Sequence, residues 1–380
     1  MPHGRGGIAD YAHDQANALQ DLGCDVKCLC TPSFTEGRQA RYTMLPELQE
    51  GFPDKQSSIR ILRQMRLAYH IIGSARQMAD LIEKGQYSFV LMHFSEYLAP
   101  LWAPRLRKLK EKGVIFGSVL HDPARDYVVG PKLWHDWSVQ QAFSFLNVVY
   151  VHSEQELASG MEVRTVLVPY GIHTFPKAAK SRAKVREELR LPPDAKVLLA
   201  AGFIRDNKNL DLVIRALSEI PDIYLIIAGT EQAGGNRPVS HYQELAEELG
   251  CVDRCRWLIR YVDAVERADL FVAADICVMT YSASFRSASA SLSAAVNYRL
   301  PSIVSSAPGS MESVIKQYGI GIWVEPDSVS AIADGLRRWL EAGIYPDWET
   351  YMRENSWGEN ARRVMESMME AQRFNERLTA

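Results

Sequence analysis

Arg205 and Lys208 stand in a short loop between an apolar run and a helical pattern. The run Val197–Ala201 reads as a buried strand ending at Gly202. Leu210, Val213, Ile214 and Leu217 then recur at helical spacing. A basic loop at the carboxyl end of a parallel strand, leading into a helix N-terminus, is an anion site. Ligands of open α/β sheets collect there, and the free N–H groups of the first helical turn add to the positive field. Two cations suit a diphosphate better than a single carboxylate.

Other residues with usable chemistry also end apolar runs. Glu231 follows Ile226–Thr230, a strand end at which ligand contact is expected, and Arg260 and Tyr261 follow 255–259, another such end. His93 follows Phe89–Met92, and His121 and Asp122 follow 114–120. The bland alternatives stay open: a satisfied core histidine for His93 and His121, a surface arginine for Arg260. His152, Ser153 and Glu154 suggest a catalytic triad, but three consecutive residues alternate faces and cannot align as base, nucleophile and orienter. They read as structural. Ser284, Ser287, Ser289, Ser291 and Ser293 enter a helix around 289–298. Their hydroxyls and the helix N–H groups suit a phosphate, or the small side chains simply let the helix pack closely.

The glycines Gly4, Gly6 and Gly7 permit close backbone approach to a ligand. They lack the G-x-G-x-x-G spacing, and no acidic residue follows the second strand suitably, which argues against hydride transfer. No D-x-D pair occurs, so a catalytic divalent ion is not required. Cys24, Cys28 and Cys30 lack a matching second ligand pair for zinc. With Cys251, Cys255 and Cys277 they read as reduced core thiols of a cytoplasmic protein.

Positioning these residues requires alternating strands and helices. Strands are expected at 25–30, 89–93, 114–120 and 148–152, then at 197–201, 223–228, 255–259, 276–280 and 302–305. Such alternation predicts parallel sheets covered by helices. A polar connector at 176–196 ends in Leu191-Pro192-Pro193-Asp194. The expected organisation is a Rossmann-like domain at 1–175, a linker at 176–196, a second Rossmann-like domain at 197–357 facing the first across a cleft, and a terminal helix at 358–380. Only Met1-Pro2-His3 precede the glycine loop where such a domain wants its first strand. The expectation is an N-terminal sheet without it, through a truncation or a mis-assigned start. The 380 residues are enough for two cores. A 47% hydrophobic share and a net charge of −3 give no reason to expect a nucleic-acid partner. No apolar run approaches the ~20 residues of a membrane span. Two basic clusters read either as solvated helix faces or as a patch for an anionic membrane surface: Arg60, Arg63 and Arg66, and Arg105, Arg107, Lys108, Lys110 and Lys112.

Several segments, in this order and spacing, resemble the retaining GT-B-fold glycosyltransferases of group 1 (glycosyltransferase family 4-like). They are Gly4–Tyr11, His121-Asp122-Pro123, Val151–Glu154, Val168-Pro169-Tyr170-Gly171, Gly202–Asp211, Ile226–Glu231, Tyr261-Val262, Ala274-Asp275 and Pro301–Val304. The resemblance spans nearly the whole chain, and 358–375 is similar to the family's last helix, which crosses back to the first domain. It implies that the loop of Lys208 binds a nucleotide-sugar diphosphate. The family's arginine after the glycine is Phe203 here, so Arg205 would supply the second cation. It also implies a histidine contacting sugar or acceptor at His121, with Asp122 and His93 on the acceptor side. Donor contacts would come from Gly6, Gly7, Gly202, Glu231, Arg260, Tyr261, Ser287, Ser289 and Ser291. Arg286 and Ala294 occupy the positions of the family's paired glutamates, as in a branch with a serine-rich turn.

The implied activity is transfer of a hexose from a nucleoside-diphosphate sugar to a hydroxyl of a saccharide or lipid-linked acceptor, with retention and without cofactor or metal. Such work belongs to polysaccharide or glycolipid synthesis in the cytoplasm, with the basic clusters suited to the inner membrane face. The missing glutamates, Phe203 and the absent strand also fit a protein of another class. That is a non-catalytic GT-B-like partner subunit of a transferase complex.

Overall fold

The computed structural model describes residues 7–50, 60–93, 96–121, 130–152, 163–232, 235–285 and 289–379. The chain divides into two compact units, 1–171 with 355–380, and 172–354.

The second unit is a six-stranded parallel sheet. Its strands are β7 (Lys196–Ala201), β8 (Ile223–Gly229), β9 (Cys255–Ile259), β10 (Ile276–Thr280), β11 (Ser302–Ser305) and β12 (Gly321–Trp323), in the order β12-β11-β10-β7-β8-β9. Apolar residues run continuously along the central strands because both faces are covered. Leu198 faces a core with Leu225 and Ile227, beneath α6 (Leu210–Ser218), α7 (Val239–Glu248) and α11 (Val329–Ala342). Val197 and Leu199 face the opposite core with Ile226, beneath α8 (Ala264–Ala273), α9 (Ala290–Asn297) and α10 (Ser310–Tyr318). β12 followed no apolar run long enough to be expected.

The polar stretch before β7 is tied into this unit. It forms α5 (Arg182–Glu188), whose Arg186 is buried and donates to Ala273 O, Pro193 O, Ala195 O and the Asp275 carboxylate. Asp275 also accepts from Arg182 and from the Val197 amide at 2.8 Å, anchoring α5 to the start of β7.

The first unit carries two parallel sheets. One pairs β1 (Lys27–Leu29) with β2 (Thr43–Leu45). The other runs β3 (Phe89–Met92), β4 (Ile115–Val119), β5 (Val148–Val151), β6 (Arg164–Leu167). Among the described residues no ladder joins the two sheets. One face of β3–β5 packs against α2 (Arg60–Gly85), α3 (Ala99–Glu111) and α4 (Lys132–Phe143). The other face packs against α1 (Gly7–Asp21) and α13 (Trp357–Thr379), through Tyr11, Val364, Met368 and Ala371. The helix α12 (Trp348–Glu354) closes the second unit, its Tyr351 packed in the α8–α10 core.

Asp275→Ala leaves the buried Arg186 guanidinium without its charge partner. Urea unfolding should show the second unit destabilised by about 3 kcal/mol. A change within about 0.5 kcal/mol would mean that the carboxylate does not anchor α5.

Candidate functional site

The second unit builds its site where two crossovers part. β7 and β10 are neighbours, yet β7 continues into α6 on one face of the sheet and β10 into α9 on the other. Their carboxyl ends therefore flank a crevice, the usual ligand seat of an open α/β sheet. The loops on its two sides are bonded together. Thr280 Oγ1 donates to Lys208 O at 3.1 Å and the Ser282 amide to Asn207 O at 2.9 Å. Asp327 accepts from Asn209 Nδ2 at 2.8 Å and from the Ala283 amide at 2.9 Å.

Gly202, Arg205, Lys208, Thr280 and Tyr281 line a small cavity at this point. Gly202 has φ +100°, and a Cβ there would lie 3.1 Å from Lys208 Nζ. Gly229, beside it, would place a Cβ 2.0 Å from Gly202 O. Gly229 needs glycine for room as well as for conformation, whereas at Gly202 the positive φ decides and a Cβ would push the Lys208 amine aside. Lys208 Nζ donates to Ala201 O at 3.2 Å, and burial, with the Arg205 charge adding, pulls its amine down to about 8. Arg205 lies over the Phe203 ring at 5.3 Å, and its Nε is buried without a hydrogen-bond partner. Two cations held close together and partly desolvated form a site complementary to an anion with two charged groups.

The other expected donor residues divide. Ser289 is buried as the N-cap of α9, accepting from the Leu292 amide and sharing a 3.0 Å hydrogen bond with the Tyr281 hydroxyl. Ser291 meets the same hydroxyl, and Tyr281 stacks on Phe285 at 3.9 Å. Ser293 accepts from the His173 amide at 2.8 Å. Much of the serine turn is therefore committed to holding the loop after β10. Glu231 accepts from the Val239 amide at 2.9 Å and caps α7, and Arg260 pairs with Glu266. Tyr261 is 78% exposed at the end of β9, an open aromatic face. Gly6, Asp122 and Ser287 lie outside the described residues.

In the first unit His93 and His121 come together, Nδ1 to Nε2, at 3.1 Å, their rings stacked. His152 joins them, 5.7 Å from His121 between ring centroids, with Nδ1 3.1 Å from Val168 O. Its contact with these rings was missed because only its neighbours in sequence were weighed. At the centre stands Tyr11, fully buried, 4.8 Å from His121, 5.3 Å from His152, 5.4 Å from Tyr170 and 4.8 Å from Trp357. Asn360 donates to the Tyr11 hydroxyl and to Pro169 O, both at 2.7 Å, and accepts from Gln15. Gly171 has φ +85°, and a Cβ there would strike Trp357 at 2.4 Å. Gly7 approaches the same group, 3.9 Å from its Cβ position to the Tyr170 hydroxyl. Burial draws His121 down to about 3, His152 to about 4 and His93 well below its usual value. All three are neutral near pH 7, able to donate or accept hydrogen bonds without carrying charge.

Of the basic clusters, Arg105 pairs with Asp80 and Glu83, Lys112 with Glu83, Arg107 bonds Gln141 and Lys110 bonds Leu146 O. No helix among the described residues is long and apolar enough to cross a membrane.

Residues 181–364 match the family model of the glycosyl transferases group 1, so the chain carries a domain of that family. Solved structures give the fold of the whole as GT-B. The apo lipopolysaccharide outer core galactosyltransferase WaaB superposes with a TM-score of 0.63 at 14% identity, over 97% of this chain and 96% of that one. HepE of Anabaena, in complex with UDP and glucose, superposes with a TM-score of 0.61 at 16% identity, over 100% and 98%. Among curated relatives, D-inositol 3-phosphate glycosyltransferase 2 of Catenulispora acidiphila is 37% identical over 109 residues, which is 26% of this chain and 25% of that protein. The corresponding Nocardioides enzyme is 30% identical over 183 residues, 44% of this chain and 39% of that protein. The chain thus matches well under half the length of these relatives.

Gly202→Ala should lower stability by about 1–2 kcal/mol through strain at positive φ. It should also weaken pyrophosphate binding by displacing the Lys208 amine. Unchanged affinity by calorimetry would remove Gly202 from the site.

The histidine cluster makes the first unit acid-sensitive. Each ring has a folded-state pKa below the unfolded value of about 6.5, so the unfolded chain binds more protons as the pH falls. Stability is full above about pH 6.5 and is lost progressively toward about 4 and below, where His152 and then His121 take up protons. Urea midpoints measured between pH 7.5 and 4.5 should fall, less steeply in His152→Gln. Equal slopes in the two proteins would show that His152 does not contribute.

Proposed function

We propose that the protein transfers a hexosyl group from a nucleoside-diphosphate sugar to a hydroxyl of a saccharide or lipid-linked acceptor, with retention at the anomeric carbon. The observation that carries this reading is the pairing of Lys208 with Arg205 at the β7–β10 crevice of a group 1 glycosyltransferase domain. HepE, a structural neighbour, holds UDP and glucose, which supports a nucleotide-sugar donor here.

As the C1–O bond breaks, negative charge grows on the β-phosphate while the sugar ring becomes oxocarbenium-like. Lys208 and Arg205 meet that charge with groups already in place, which is preorganised electrostatic stabilisation. Their partial desolvation makes the gain larger than it would be in water. Tyr261 offers its face to the nucleotide base. The neutral imidazoles of His121 and His93 serve hydroxyl groups of sugar and acceptor. In this scheme the leaving group is stabilised by protein cations, with no metal assigned to it. The acceptor hydroxyl attacks from the side the phosphate leaves, and the departing phosphate oxygen takes its proton. Synthesis of polysaccharide or glycolipid at the cytoplasmic side of a membrane is the setting that fits such acceptors.

Calorimetric titration with UDP and GDP tests the donor site. One nucleotide should bind, and Lys208→Ala should weaken it by about 2 kcal/mol or more, the range of a charge-assisted hydrogen bond. Affinity should stay level below about pH 8 and fall above it as the free amine loses its proton, with Lys208→Arg extending the plateau. A folded protein that binds neither nucleotide would favour the alternative, a non-catalytic partner subunit. Binding unaffected by Lys208→Ala would sink the site assignment.

A further inference from the structure

A pocket that no step above uses opens at the end of the first unit's sheet where the histidines stand. β3 and β4 lead into His93 and His121 at their carboxyl ends. Shortly past His93 the chain makes the turn Glu96-Tyr97-Leu98, which leads into α3. Across from this turn lies the first half of α4. Pro131, Trp134, His135 and Ser138 follow one another there at helical spacing and so share one face. Turn and helix face enclose a cavity of about 420 Å3, within the range of small-molecule sites.

Its walls are of two kinds. Trp134, Leu98 and Pro131 supply apolar surface. The Trp134 ring meets Trp137 edge to face at 5.3 Å, and a Cβ on Gly130 would lie 3.7 Å from Trp134 Cδ1. The polar wall holds Glu96 and Ser138, only 8% and 3% exposed. The Ser138 hydroxyl is buried without a hydrogen-bond partner. Buried hydroxyls are almost always satisfied, so this one is placed for something that enters the pocket. The turn is also pinned. Trp102 Nε1 donates to Tyr97 O at 2.9 Å and the Ala99 amide to Glu96 O at 3.1 Å. Between them Leu98 is kept at φ +54°, a costly conformation for a bulky side chain.

The two walls together select the ligand. An acyl chain would suit Trp134 and Leu98 but cover the Ser138 hydroxyl and the Glu96 carboxylate without returning a hydrogen bond. An inorganic anion would meet the Glu96 charge and leave the indole unused. A pyranose ring answers both walls, with a face of C–H bonds for the indole and a rim of hydroxyls for the serine and the carboxylate.

We propose that this pocket seats a pyranose ring of the acceptor, with Trp134 as its platform and Ser138 and Glu96 bonding its hydroxyls. That the bound sugar is the acceptor rests on the transferase reading; that the pocket binds a sugar does not. The acceptor is then a saccharide or the sugar headgroup of a glycolipid, not a bare lipid hydroxyl.

Saturation-transfer NMR on the full chain without nucleotide tests it, with the methyl glycosides of glucose, galactose, mannose and N-acetylglucosamine as probes. At least one should bind, about tenfold or more weaker in Trp134→Ala and about threefold or more weaker in Ser138→Ala. Trp134→Phe, which keeps a ring, should recover part of the loss. Ser138→Ala removes a single oxygen and serves if Trp134→Ala does not fold. The octyl glycoside of the sugar that binds separates the two sources, since added affinity from the chain marks a glycolipid headgroup. No transfer to any of the methyl glycosides overturns the proposal, as does equal affinity in the folded variants. So does dodecanoate binding that Trp134→Ala weakens where no glycoside binds, which would make the pocket an acyl site. The UDP and GDP titrations on the same protein keep the readings apart. Glycoside binding without nucleotide binding keeps the sugar pocket and removes its acceptor role, and the reverse removes the pocket alone.

Discussion

Two parallel strands that lie side by side but send their chains to opposite faces of a sheet leave an opening that no helix covers. β7 and β10 are such a pair, and the chemistry of the second unit follows from them. The opening collects backbone ends beside an apolar wall that includes Phe203, Ile204 and Val278. Glycine at 202 and 229 lets the ends of β7 and β8 pass within contact distance. Asp327 and Thr280 hold the loops after β7 and β10 together, which fixes the directions of Lys208 and Arg205. A lysine on a free loop would sample water and keep an ordinary pKa. This one is held against a carbonyl and partly desolvated, so its affinity for an anion is built in before the anion arrives.

Most strands of the second unit were legible in the sequence because they obey local rules. Strands at 255–259, 276–280 and 302–305 coincide with apolar runs that turn residues close off on both sides. The turn that carries Arg205 and Lys208 was readable for the same reason, since a strand, a glycine and an amphipathic helix follow one another within a few residues. What escaped were features that depend on distant partners. β12, β2 and β6 are three or four residues long with exposed or half-exposed side chains, so no apolar period marks them. Ser289 and Glu231 present groups suitable for ligands, yet each is committed to a helix end. Only the fold shows which helix end needs a cap.

The first unit is organised around a ring system that sequence spacing cannot reveal. Tyr11, His93, His121, His152, Tyr170 and Trp357 come from α1, the ends of three strands, a loop and the last helix. Each was visible singly, and His93 and His121 were marked as chemistry-bearing from their place at strand ends. Nothing in the spacing joins residue 11 to residue 360. Yet the Asn360 amide holds the Tyr11 hydroxyl and Pro169 O at once, so the aromatic group has one arrangement rather than several.

The same contact bears on how the polypeptide is made. Trp357, Val364, Met368 and Ala371 complete a core whose other members lie within the first 171 residues. Translation delivers the whole of the second unit, 172–354, before it delivers that last helix. Domains generally fold as units, N-terminal first, during synthesis. Here the order is inverted: the later-encoded unit is complete while the earlier one waits, with this sheet face covered by α1 alone, for residues still in the ribosome. The chain must therefore keep an unfinished apolar surface from aggregating for the time needed to synthesise an entire second domain.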